Sequence, residues 1–190
     1  MIVGITGKKR AGKDTLAGLI AAELSVPVTT MALADPLKEA LEILNPTIPL
    51  NGMSLRGHTD LQTVISQVGW EQAKDKYPEV RRLMQSYGSD VIRHLFDQDF
   101  WVNELLENVK DYKLIHGDNV VVIVPDVRFP NEAKITDLLI RVVRDGTDGD
   151  EHASENALDD YPADFTVDNN GTHEDLQKSA VRLVRAIEAI

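Results

Sequence analysis

The sequence predicts an α/β fold: a parallel, five-stranded sheet flanked by helices on both faces, in three layers. Three observations predict it. Short β-branched and apolar runs alternate with longer stretches of helical periodicity from one end to the other. Residues 120–124 are Val-Val-Val-Ile-Val, apolar at every position, as in a strand covered on both faces. The first apolar run passes into a glycine-bounded basic loop and then a helix, the arrangement in which backbone N–H groups and a helix dipole meet an anion.

Taken in order, residues 2–5 form the first strand, and 13–24 a helix whose Leu16, Leu19, Ile20 and Leu24 share a face. Residues 26–32 are a second strand. Asp35 can cap the next helix and Pro36 can occupy its first turn, with Leu37, Leu41 and Leu44 on the buried side. Residues 45–59 hold Pro46, Pro49, Gly52 and Gly57 and predict a loop or insertion. Helices are expected over 61–68, with an end blurred by Gly69 and Trp70, over 79–96 with an interruption at Gly88, and over 100–112. After the strand at 120–124 come a crossover helix at 131–138 and a strand at 139–143. The acidic, glycine-containing stretch 144–161 predicts a lid, with a short helix near 153–158. A last short strand at 165–167, a turn at Asn169-Asn170-Gly171 and a closing helix at 174–190 complete the chain.

Length and composition bound the function. With 190 residues, 43% hydrophobic and 27% charged, the chain predicts one compact domain, 1–190, with a sizeable core. A net charge of −11 argues against coating a nucleic-acid polymer, which needs a basic surface. The absence of cysteine excludes disulfides and thiolate metal sites and suits a reducing cytoplasm. No apolar run approaches the roughly 18 residues of a membrane span, and the amino terminus lacks the charged and apolar regions of a leader. The expectation is a soluble cytoplasmic protein acting on a small molecule.

Gly7, Lys8, Lys9, Arg10, Ala11, Gly12 and Lys13 have the spacing G-x-x-x-x-G-K, which curls N–H groups around phosphate oxygens while the lysine reaches the β- and γ-phosphates. The next position, usually a Ser or Thr that ligates Mg²⁺, is Asp14, and the hydroxyl comes one later at Thr15. A carboxylate is also a hard-cation ligand. Asp126 follows the most apolar strand, where ligands gather at carboxyl ends of an open sheet. It can hold Mg²⁺ with Asp14 or cap a turn. Arg128 can clamp phosphate or make a surface ion pair, and Arg141 and Arg144 bracket a strand end, with Arg144 the candidate lid arginine.

The loop from Gly7 to Thr15 resembles that of phage deoxynucleoside monophosphate kinases, and phosphomevalonate kinases have a similar loop with Asp after the lysine. The likeness continues through Ala34-Asp-Pro-Leu-Lys38, Gln85-Ser-Tyr-Gly88, Arg93, Asp97-Gln-Asp-Phe-Trp101, Pro125-Asp-Val-Arg-Phe-Pro-Asn-Glu132 and Asp168-Asn-Asn-Gly171, nearly the whole chain. The resemblance implies a P-loop NTPase fold with a substrate-binding insertion at about 45–115 and a lid at about 144–162. It implies transfer of the ATP γ-phosphoryl group to a dNMP, with Mg²⁺, in the host cytoplasm, and makes a homodimer reasonable.

On that resemblance Lys13, Asp126, Arg128 and Arg144 are catalytic candidates, and the loop residues 7–15 bind ATP. Asp35, Lys38, Gln85, Arg93, Trp101 and Arg128 serve the acceptor, with Lys38, Arg93 and Arg128 converging on the carboxyl edge of the sheet. Trp101 either stacks on the base or is a core aromatic, and Lys38 and Arg93 either bind phosphate or lie on a solvated face. His152, Ser154 and Glu155 resemble a His-x-Ser-Glu segment without an assigned role. Asn169-Asn170-Gly171 resembles a turn near the nucleotide base, or is a plain turn. A kinase of a phosphomevalonate-like or dephospho-coenzyme A-like acceptor is the alternative. A GTPase would need Asn-Lys-x-Asp, which is absent, and a dinucleotide site would need G-x-G-x-x-G, which Gly4, Gly7 and Gly12 do not match.

Overall fold

The computed structural model describes residues 1–50, 57–147 and 156–190. The chain divides into two compact units, Met1–Leu33 with Val102–Ile190, and Ala34–Trp101. In chain order the first opens with β1 (Ile2–Thr6), α1 (Lys13–Glu23) and β2 (Val28–Thr30). The second follows with α2 (Asp35–Leu44), β3 (Thr47–Pro49), β4 (His58–Asp60), α3 (Leu61–Lys76), α4 (Pro78–Gln85) and a π-helical stretch, Ser86–Phe96. Then come α5 (Phe100–His116), β5 (Val121–Val124), α6 (Pro130–Ala133), β6 (Leu138–Val143), β7 (Phe165–Asp168) and α7 (His173–Ile187).

In the first unit five strands form one sheet in the order β2-β5-β1-β6-β7, every neighbouring pair parallel. β1 is central: Gly4 lies beside Val124 on one side and Leu139 on the other. Every residue of β1 and β5 is buried, which is why the sequence of β5 admits only Val and Ile. α1 and α7 pack together, and Leu16, Ile20, Leu183 and Ile187 join Ile5, Ile123 and Ile140 in the core. Each such side chain contributes about 1.5–3 kcal/mol by leaving water. Because all five strands run the same way, the residues after β1, β5, β6 and β7 emerge on one edge of the sheet.

The crossover after β5 is shorter than its periodicity suggests. A helix was expected over 131–138, but α6 has one turn and Leu138 already belongs to β6. The cause is Asp137, whose N–H donates to Ile2 O at 2.8 Å and whose carboxylate accepts the Ile2 N–H at 2.7 Å. Those bonds draw the chain into the sheet.

Within the second unit the expected loop contains an antiparallel pairing, Thr47 with Asp60 and Pro49 with His58. Asp60 then caps α3 by accepting the Thr63 N–H at 2.8 Å, which holds its carboxyl below the usual range. α3 does not stop near Val68 but bends at Gly69, where φ is 72°, and continues to Lys76. Asp35 is not a cap: it stands in the first turn of α2, and Ala34 precedes the helix without a side-chain bond. Gly88 does not break its helix either. Winding widens into the π-helical stretch, and Gly88 is buried where a Cβ would stand 2.9 Å from Leu37 Cδ2.

Candidate nucleotide and phosphate site

At the centre of the carboxyl edge β1 ends and the chain turns sharply. Gly7 and Gly12 have φ of 144° and 100°, and Arg10 between them is left-handed at 64°. A Cβ on Gly7 would lie 2.3 Å from the backbone oxygen Val142 O, and one on Gly12 would displace the Asn169 amide at 2.3 Å and be strained by the positive φ. Lys13 opens α1 and turns its Nζ back to Gly7 O at 2.8 Å and Lys8 O at 2.9 Å. Its ammonium thus spans the loop at the positive end of the helix.

The loop is also held from outside. Asn169, directly after β7, donates its Nδ2 to Ala11 O at 2.7 Å, while its own N–H pairs with Val143 O. The sequence suggested a turn there, and the structure assigns Asn169 a bracing bond. Asn169→Ala is expected to cost about 1–3 kcal/mol, because the acceptor belongs to fully buried Ala11. Thermal unfolding and ADP calorimetry would check this; an unchanged ADP affinity would separate the brace from nucleotide binding.

Beside the loop lies a cleft of about 380 Å³ whose charged lining is Lys8, Arg128, Arg141, Arg144 and Asp159. Four cations and one acid gather there in a chain of net charge −11. Lys8 Nζ meets both Asp159 oxygens at 2.6 and 2.8 Å and Asn156 Oδ1 at 2.8 Å. Arg141 Nη2 donates to Leu158 O at 2.6 Å and Tyr161 O at 2.5 Å. The end of the expected lid, 156–161, is therefore fastened by one cation from the loop and one from β6. Arg144 is exposed, and its carbonyl accepts the Thr147 hydroxyl. His152, Ser154, Glu155 and the first half of the helix expected at 153–158 fall outside the described residues.

Asp126 follows Pro125 at the end of β5, half-buried, and its Oδ1 accepts the Leu33 N–H at 2.8 Å. Asp14 and Thr15 are exposed in the first turn of α1. Among the described residues no three His, Cys, Asp or Glu side chains form a metal cluster. Mg²⁺ takes only one or two carboxylates and completes its shell with phosphate and water, so a carboxylate such as Asp14 or Asp126 is chemically suited to it. Arg128 follows two residues later. Its N–H and that of Phe129 both donate to Glu132 Oε2, a carboxylate the sequence reading passed over although Glu three residues after a helix start is a capping signal.

The second unit holds most of the acceptor candidates. Lys38 Nζ pairs with Asp35 Oδ1 at 2.8 Å, Gln85 ends α4 half-buried, and Arg93 Nη1 donates to Gln98 O at 3.3 Å. Trp101 takes the core alternative: it is 5% exposed, stands edge-to-face with Phe100, and donates its indole N–H to Gly88 O at 3.0 Å. Lys38 and Arg93 belong to this unit and Arg128 to the first.

A left-handed, glycine-bounded loop leaving the central parallel strand, spanned by the lysine that starts the next helix, with an aspartate ending the adjacent strand, defines a P-loop nucleotide-binding domain. The chain belongs to the deoxynucleotide monophosphate kinase family, whose profile matches residues 45–180. It is 34% identical over 111 residues to the deoxynucleotide monophosphate kinase of Escherichia phage RB69, covering 56% of this chain and 45% of that one. To the deoxynucleotide monophosphate kinase of Enterobacteria phage T4 it is 28% identical over 165 residues, covering 81% and 67%. The match thus spans under half of the first relative's length and two thirds of the second's. Among solved structures, shikimate kinase from Aquifex aeolicus matches at a TM-score of 0.45 and 12% identity, covering 100% of this chain and 99% of that one. TT1252 from Thermus thermophilus matches at 0.42 and 18%, covering 100% and 96%. No helix among the described residues is long and apolar enough to cross a membrane.

Proposed function

We propose that the chain transfers the γ-phosphoryl group of ATP to a deoxynucleoside monophosphate, giving ADP and the deoxynucleoside diphosphate. The observation that carries this reading is the cationic cleft against the phosphate loop in an otherwise acidic chain. Family membership supplies the acceptor class.

An acceptor monophosphate and ATP are both polyanions, so bringing them in line requires local positive charge. Lys13 exchanges the Gly7 and Lys8 carbonyls for phosphate oxygens, which are stronger partners because they are charged. Arg128 and Arg144 face the transferring group and stabilise charge spread over its oxygens. An acceptor phosphate oxygen bonds to the γ-phosphorus, the bond to the β–γ bridging oxygen breaks, and ADP leaves with that electron pair. Lys38 and Arg93 hold the acceptor phosphate, and Gln85 offers an amide to the base. Asp14 and Asp126 would hold Mg²⁺, which supplies neutralisation of the β- and γ-oxygens when bound.

The test is coupled ADP release with dAMP, dGMP, dCMP, dTMP, their ribonucleotide counterparts and phosphomevalonate. Release with at least one deoxynucleotide is expected. Turnover confined to phosphomevalonate, or none with any acceptor, refutes the reading.

A further inference from the structure

The turn after β5 carries Asp126 and Arg128, and a buried carboxylate holds it from inside. Glu132 is 2% exposed, and its Oε2 accepts the N–H of Arg128 at 2.6 Å and that of Phe129 at 3.0 Å. Half of this is ordinary capping, since a glutamate at the third helical position commonly accepts the N–H of the residue before the helix, here Phe129. The bond to Arg128 is different. It is the shorter of the two and lies outside the helix altogether.

Capping alone is also a poor reason to bury a charge. α6 has four residues, and withdrawing a carboxylate from water is costly even when hydrogen bonds compensate it. What the two bonds fix is the direction of successive peptide groups at Arg128 and Phe129. Pro130 has a restricted φ, so these two residues set the path between strand and helix. Arg128 is the residue of this turn whose charge lines the cleft.

We propose that Glu132 is a positioning residue for Arg128: it holds the Arg128 backbone so that the guanidinium faces the transferring phosphate. The proposal rests on the role given to Arg128 above, but not on which acceptor the protein uses. Glu132 then acts on phosphate recognition through Arg128.

The test is a double-mutant cycle of Glu132→Gln and Arg128→Ala, read as the affinity for a nonhydrolysable ATP analogue relative to ADP, by calorimetry, with thermal unfolding in parallel. Glu132→Gln keeps shape and an acceptor oxygen but loses the charge that strengthens both bonds. It is expected to reduce the preference for the triphosphate about tenfold, as does Arg128→Ala, since a charge-assisted contact is worth roughly one decade or more. In the Arg128→Ala background the same change should alter the preference by less than about twofold.

A further tenfold loss in that background, or equal weakening of both nucleotides with a lowered Tm, makes Glu132 merely structural and overturns the proposal. An unchanged preference in Glu132→Gln overturns it also. Should Glu132→Gln not fold, Glu132→Asp, which keeps the charge but shortens the reach, takes its place with the same expectations. The readout needs no acceptor, so failure of the deoxynucleotide reading would appear in the ADP-release panel and failure of this one in the cycle.

Discussion

Replacing Lys13 by alanine is expected to lower kcat by at least about 10²-fold and leave the protein folded. The two results have separate causes. In the structure the ammonium bonds to Gly7 O and Lys8 O, both in a partly exposed loop where water can replace it, so the fold loses little. During transfer, however, charge builds on the γ-phosphoryl oxygens and the β–γ bridge, and no other side chain starts α1 from that position. The glycine geometry at 7 and 12 and the Asn169 bond keep the loop in shape without the lysine. ADP release and thermal unfolding on the same preparation test both halves. Wild-type turnover by a folded Lys13→Ala protein would remove the loop from the mechanism.

Arg93→Ala should raise the KM for the deoxynucleoside monophosphate about ten- to a hundredfold while leaving that for ATP nearly unchanged, because one charge-assisted, bidentate contact is worth about 1.5–3 kcal/mol. Arg93 is half-buried in the π-helical stretch, and its 3.3 Å bond to Gln98 O lies near the long limit for a hydrogen bond. A phosphate offers it a charged partner that can accept two guanidinium N–H bonds. Steady-state kinetics with each substrate varied separately is the measurement. A change confined to ATP would move Arg93 to the donor side, and no change would return it to a solvated surface.

What was legible in the sequence was local. The G-x-x-x-x-G-K spacing lies within one loop, and the apolar run of β5 reports its own burial, so the parallel sheet and its phosphate edge could be read directly. Contacts that join distant residues left no such mark. Asn169 reaches Ala11 across 158 positions, and Arg141 takes carbonyls 17 and 20 residues away. The end of α6 is set by Asp137 meeting Ile2, which no helical periodicity encodes. Gly88 read as a helix breaker because propensity cannot distinguish a break from a close approach to Leu37. Trp101 showed the same ambiguity, since a core aromatic and a base platform are one letter. The β3–β4 pair was missed because three-residue strands are too short to display alternation.

The bond from Asn169 to Ala11 also gives the phosphate loop an order of assembly. Asn169 lies 158 positions after Ala11, so it is made long after the loop it braces. The amide is aligned with Ala11 by the pairing of β7 against β6, at the outer edge of the sheet. A nascent chain lacking β7 can form β1 and α1 and still lack the brace. A ligand that needs the braced loop can therefore stabilise the chain only once β7 has been made and paired with β6. Loosening β7 at that edge should therefore free the loop while β1 keeps both of its neighbours, β5 and β6.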